Sequence, residues 1–147
     1  MVAFTCKDGL TTESLFERMD QIEIIKRLNA NAIRMHKPCQ KMMMALCGEQ
    51  GIFVLTEIPA WQNSNHLLEP ALADQMRDQL RQLINRDMNH PSALIWSLGN
   101  EWTPSKNEED IHKAYTAVKS LIEFAREADP SGNRFVSCVT GGAQIHP

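Results

Sequence analysis

Short apolar runs alternate with longer stretches of helical period along almost the whole chain, and that alternation leaves few folds open. Leu15, Met19 and Ile22, with Phe16 and Ile25 beside them, step along one face of a helix expected from a Thr12 cap to about residue 29. A short strand is expected at 31–35. Pro38 opens a second helix, roughly 39–50, which Gly51 ends. Residues 52–56 are apolar almost throughout, as suits a parallel strand covered on both faces. A loop is expected over 59–68. Pro70 then starts a helix on which Leu72, Met76, Leu80, Leu83 and Ile84 recur every three or four positions, and Asn89-His90-Pro91-Ser92 breaks it. Residues 93–98 form a third apolar run. Ser105 and Glu108 have capping-box spacing before a fourth helix, whose expected face is Ile111, Tyr115, Val118, Ile122 and Ala125. Asp129-Pro130-Ser131-Gly132 reads as a turn and 134–139 as a last strand.

Strands alternating with helices imply parallel pairing through helical crossovers. No glycine-rich phosphate loop is present, which weighs against a nucleotide-binding doubly wound sheet. The alternative is the eight-stranded barrel, which needs roughly 250 residues. Four of its strands are legible in these 147 residues. The expected fold class is therefore α/β: a partial (β/α)8 TIM barrel over residues 1–147, with the first strand and the last three missing. A formal charge of -3 with mixed signs lacks the basic stripe of a nucleic-acid binder. No run approaches the roughly 18 apolar residues of a membrane helix. Neither nucleic acid nor membrane is an expected partner, and the N-terminus shows no signal-peptide pattern. Cys6, Cys39, Cys47 and Cys138 form no Cys-x-x-Cys pair and no zinc spacing; free thiols, buried or half-buried, are expected.

In parallel architectures function gathers at the carboxyl ends of strands. Arg34 and His36 stand there after the first legible strand, and Glu57 ends the second with Trp61 just beyond. Asn100, Glu101 and Trp102 follow the third strand, and Thr140, Gly141 and Gly142 the fourth. Aromatic faces suit the C–H faces of sugars, amide and charged groups suit hydroxyls, and glycosidic hydrolysis requires two carboxyl groups. Glu101, directly after apolar strand residues and a glycine, is expected to be poorly solvated. Arg34, on the adjacent strand, is a natural partner for Glu57. His90 lies at the amino end of a strand and reads as structural. Trp96 reads as core.

Asn89-His90-Pro91-Ser92-Ala93-Leu94-Ile95-Trp96-Ser97-Leu98-Gly99-Asn100-Glu101 resembles the acid/base signature of glycoside hydrolase family 2, the family of β-galactosidases, β-glucuronidases and β-mannosidases. Asn31-Ala32-Ile33-Arg34, His36-Lys37-Pro38 and Gly51-Ile52-Phe53-Val54 resemble its other signature, and the likeness covers about residues 14–139. The resemblance implies a (β/α)8 catalytic barrel, a retaining mechanism and a β-glycoside substrate, with no cofactor. It makes Glu101 the general acid/base, with Asn100 on the sugar 2-hydroxyl. Arg34 and Glu57 then belong to the polar network below the site and His36 to the sugar subsite, while Trp102 is expected among the substrate contacts from its place on the rim. The chain departs from the family in places. One residue, Met35, separates Arg34 from His36 where two are usual, and Lys37 and Gly48 replace the usual tyrosine and aspartate. Trp61-Gln62-Asn63 stands where the magnesium-binding type has Glu-x-His, so no metal site is expected.

A retaining site needs two carboxyl groups about 5 Å apart. The acids after Glu101 (Glu108, Glu109, Asp110, Glu123, Glu127 and Asp129) all fall on or beside a helix, so the nucleophile glutamate is expected to be absent. The chain is thus expected to be a fragment of a retaining exo-β-glycosidase, inactive or nearly so alone, whose partner is the remainder of the barrel. The alternative is a free-standing half-barrel that binds carbohydrate or is structural. It would pair with another copy of the chain to cover its open edges. A third reading pairs Glu57 with Glu101 as the two carboxyl groups.

Overall fold

Each apolar run becomes a strand, and every strand pairing is parallel. In the computed structural model, which describes residues 15–60, 65–102 and 107–139, four strands stand in sequence order: β1 (Ala32–Arg34), β2 (Phe53–Glu57), β3 (Ala93–Ser97) and β4 (Phe135–Ser137). Helices α1 (Leu15–Arg27), α2 (Lys41–Glu49), α3 (Asn65–Leu68), α4 (Pro70–Asp87) and α5 (Glu108–Ala128) precede and connect them. Each new strand is laid beside the one before it, without the reversal of direction that defines a doubly wound sheet. That is the progression of a (β/α)8 barrel, as expected.

The two faces of the sheet differ. Thr56 and Trp96 are paired in register and buried beneath the helices. Leu55 pairs with Ile95, and Ile95 with Phe135, along the other face, where Leu55 and Ile95 are half-buried and Phe135 is exposed. The core lies on the helical side. Met43, Met44, Leu80, Ile84, Trp96 and Leu121 are among its large, fully buried members, and burying such a side chain contributes about 1.5–3 kcal/mol. Pro70 starts α4 as expected, and Met76, Leu80, Leu83 and Ile84 face the core.

Several helix details differ from expectation. On α1 the buried residues are Arg18, Ile22 and Ile25, while Leu15, Phe16 and Met19 are exposed, Phe16 at 77%. On α5 they are Leu121 and Ala125, while Ile111 and Tyr115 are exposed. Both helices flank edge strands: α1 precedes β1 and packs on α2, and α5 runs into β4. A sheet four strands wide therefore meets part of each apolar stripe. The expected 59–68 loop contains a helix, α3, because Leu67 is buried and α3 packs on α4 and α5. Asn107, not Ser105, caps α5: its Oδ1 accepts from the Glu109 amide at 2.9 Å. Ser105 lies outside the described residues. Cys39 and Cys47 are buried thiols, and burial pushes the half-buried Cys138 thiol up.

The amino rim is tied by one carboxylate. Trp96, in the core as expected, donates from Nε1 to Asp129 Oδ2 at 2.9 Å. Ser131 Oγ donates to Asp129 Oδ1 at 2.6 Å, and Arg134 pairs with Oδ2 at 3.1 Å. Arg134 also donates to the carbonyls of Ala93 and Met88, and its guanidinium lies 5.4 Å from the Trp96 ring centroid. His90 Nδ1 meets Ser92 Oγ at 2.8 Å on the same rim, a structural placement. Burial pushes the Asp129 carboxyl up, but the hydrogen bonds from Ser131, Trp96 and Arg134 outweigh it and hold the group below its ordinary range.

Asp129→Ala is expected to cost about 2 kcal/mol at neutral pH, the scale of hydrogen bonds to a charged group. With the folded value depressed, the stabilisation is complete above the ordinary carboxyl value of about 3.9 and is lost as pH falls through the lowered folded one. Urea midpoints of the two chains should therefore converge in acid. A gap that stays constant down to about pH 2 would assign the effect to lost packing instead.

Candidate active site

The site begins with a slip in register. Val54 pairs with Ala93 but Leu55 pairs with Ile95, a β-bulge that passes over Leu94. A bulge re-aims the side chains beyond it. Here the slip sets Ser97 opposite Glu57, and Ser97 in turn pairs with Ser137, giving a polar layer at the carboxyl end of the sheet.

Glu57 has no exposed surface. Its Oε2 accepts from Ser97 Oγ at 2.6 Å and from Arg34 Nη2 at 2.9 Å. The same Arg34 nitrogen donates to Asn100 Oδ1 at 2.5 Å. Three strands thus contribute to one relay: Ser97 and Arg34 on the Glu57 carboxylate, and Arg34 again on the Asn100 amide. Among the described residues, Glu57 Oε1 and Arg34 Nε have no hydrogen-bond partner. Because Arg34 can only donate, the Asn100 oxygen is turned towards it.

Residues 99–102, the segment beyond β3, carry the candidate acid. Asn100 and Trp102 are buried, and Glu101 between them is exposed. The poor solvation expected of Glu101 is therefore not found: the apolar strand ends at Ser97, and Glu101 is exposed four residues beyond it. The Ala60 carbonyl accepts from the Asn100 amide at 2.9 Å and from Trp102 Nε1 at 3.2 Å. Val139 closes the other side, its carbonyl accepting from the Trp102 amide at 3.3 Å and its amide donating to Gly99 O at 3.1 Å. Gly99 has φ +152, and a Cβ there would lie 2.5 Å from Trp102 Cζ2 and 2.6 Å from the Ala60 oxygen. No other residue type fits that space.

The expected site residues thus fall into two tiers. Arg34, Glu57 and Asn100 are joined directly, with Glu57 wholly inside. Trp102 is 4% exposed and lies against Gly99, so it is buried rather than presented on the rim. His36 is half-buried in the bend just beyond β1, two positions after Arg34. Trp61, Thr140, Gly141 and Gly142 lie outside the described residues, as do Gln62 and Asn63. Two contributors escaped the sequence reading. Ser97 carried a signal, a hydroxyl closing an apolar strand. Ala60 carried none, because it acts through its carbonyl. Among the described residues no three His, Cys, Asp or Glu side chains are grouped as metal ligands.

Comparison with known proteins bears on the family and the fold. The model of the glycosyl hydrolases family 2 TIM barrel domain matches residues 11–146. The chain is 33% identical over 141 residues to a putative β-glucuronidase of Formosa agariphila, covering 93% of this chain and 17% of that protein. It is 32% identical over 126 residues to a β-galactosidase of Clostridium acetobutylicum, covering 75% and 13%. The structure of Bifidobacterium dentium β-glucuronidase complexed with coumarin-3-O-glucuronide matches with a TM-score of 0.83 at 29% identity, over 92% of this chain and 22% of that one. The chain therefore spans less than a fifth of the length of these curated relatives.

Arg34→Met is expected to lower stability by about 3 kcal/mol, because it strands a buried carboxylate without its cation. Adding Glu57→Gln should recover part of that loss. Urea unfolding of the single and double variants checks both, and a loss below about 1 kcal/mol for Arg34→Met would remove the pair from this role.

Proposed function

The chain belongs to glycosyl hydrolase family 2, and on that premise we propose that it is the part of a retaining exo-β-glycosidase that carries the general acid/base, Glu101. One observation carries the reading: Glu101 is exposed on the carboxyl rim, immediately after an Asn100 whose amide Arg34 holds from below. An exposed carboxyl group beside an oriented amide is what the acid step needs.

In the first half-reaction Glu101 donates its proton to the glycosidic oxygen as the bond to the anomeric carbon breaks and the nucleophile carboxylate bonds to that carbon. In the second, the Glu101 carboxylate takes a proton from the water that displaces the nucleophile. The Asn100 NH2 donates to the sugar 2-hydroxyl oxygen, an interaction that strengthens in the transition state. His36 borders the sugar subsite. Glu57 and Trp102, both buried, serve the site from behind.

The nucleophile comes from outside this chain. After Glu101, every acidic residue that the structure describes lies in α5 or at its C-cap, and Asp129 is already held by Trp96, Ser131 and Arg134. The third carboxyl reading, with Glu57 as partner, is disfavoured by its complete burial and by its bonds to Arg34 and Ser97. The substrate class is a β-glycoside, with the glucuronides and galactosides of its relatives' names the first to try.

In the polypeptide as its source makes it, Glu101→Gln is expected to lower kcat on an alkyl β-glycoside by roughly 10²–10⁴-fold, the scale of a lost general acid. Retained activity would remove Glu101 from that role. The 147-residue chain alone is expected to give no turnover. Turnover that disappears in Glu101→Gln would mean that the second carboxyl group is already present in it.

A further inference from the structure

Glu101 has φ +52, in the left-handed region that residues other than glycine, asparagine and aspartate rarely occupy. Such a conformation persists where the surroundings over-determine it. Here both neighbours are fixed. The Asn100 amide and the Trp102 indole N–H converge on one acceptor, the Ala60 carbonyl, at 2.9 and 3.2 Å. The Trp102 amide is bound to Val139 O and Gly99 O to the Val139 amide. The six-membered edge of the indole fills the space over Gly99, where Cζ2 and Cε2 stand 2.5 and 2.6 Å from the position a Cβ would take. The chain is thus pinned on entering and on leaving Glu101.

We propose that Trp102 is a positioning residue, whose indole, stapled to Ala60 and laid over Gly99, holds the Glu101 backbone in the left-handed conformation and so aims its carboxyl group from the rim. Trp102 acts through Glu101 and not by touching substrate. Its consequence for catalysis rests on the assignment of Glu101 as the acid/base, but the conformational coupling stands on geometry alone.

The test is nuclear magnetic resonance on the 147-residue chain. At positive φ a residue's amide proton approaches its own α proton, so Glu101 should give a strong intraresidue Overhauser contact. Trp102→Phe removes the N–H and the ring atoms over Gly99. In that variant the Glu101 contact is expected to fall several-fold while the contacts between the paired strands β2 and β3 persist. An undiminished Glu101 contact in a variant with intact strands overturns the proposal. Should Trp102→Phe lose the strand contacts as well, hydrogen exchange on the unsubstituted chain decides. A Trp102 indole N–H as protected as the Asn100 amide supports the staple, and exchange at the rate of a free indole overturns it. Neither readout involves turnover, so failure here is distinct from failure of Glu101→Gln to lose activity.

Discussion

A carboxylate with no exposed surface must be neutralised where it lies, and the carboxyl rim of this sheet is arranged around that demand at Glu57. Removing a charge from water carries an effective penalty of several kcal/mol even in a relaxed protein. The Arg34 guanidinium and the Ser97 hydroxyl answer it, and the register slip in β3 is what puts Ser97 in reach. Arg34 then has one nitrogen shared between Glu57 and Asn100. Order passes outward in this way, from a charge that cannot be left alone to an amide whose orientation is set by it. The groups that meet solvent inherit their geometry from groups that never do.

The sheet shows what a parallel barrel looks like when four of its strands are seen by themselves. The helical face is a dense core of methionine, leucine, isoleucine and Trp96. The opposite face grades from a polar layer at Glu57, Ser97 and Ser137 to the apolar layer of Leu55, Ile95 and Phe135. In closed barrels inward side chains fill the interior in layers drawn from alternate strands. Phe53 and Phe135, large and exposed here, stand on that inward face. The exposed stripes on α1 and α5 have the same origin, since each helix lies beside an edge strand.

Most of the architecture was legible because parallel strands meant to be covered on both faces are written as continuous apolar runs, as at 52–56 and 93–98. The helix faces were less so. Periodicity states which side of α1 is apolar, but not how much sheet lies beneath it, and Phe16 and Met19 are exposed although they lie on the apolar side. The Asn107 cap is masked in the sequence by Ser105 and Glu108, which have the more familiar capping-box spacing. At the site, side-chain chemistry marked out Arg34, Glu57, Asn100 and Glu101 as residues at strand ends. Solvation of Glu101 could not be read from its neighbours in sequence, since it is exposed between two buried residues, Asn100 and Trp102. The part played by Ala60 was invisible, because a main-chain carbonyl is common to every residue type.

Anchoring through the main chain also governs how the segment at 99–102 tolerates heritable change. Its anchors at Ala60 and Val139 are backbone atoms, which substitution does not remove, so the hydrogen bonds at both positions survive exchange for any residue that fits. The room at Ala60 is small, as it is 2% exposed, while Val139 is half-exposed and freer to drift. Gly99 is the reverse: what it contributes is the absence of an atom, and every substitution supplies one. The segment around the acid is therefore guarded by its smallest residue, while the partners that hold it in place are free to vary in identity without loosening their hold.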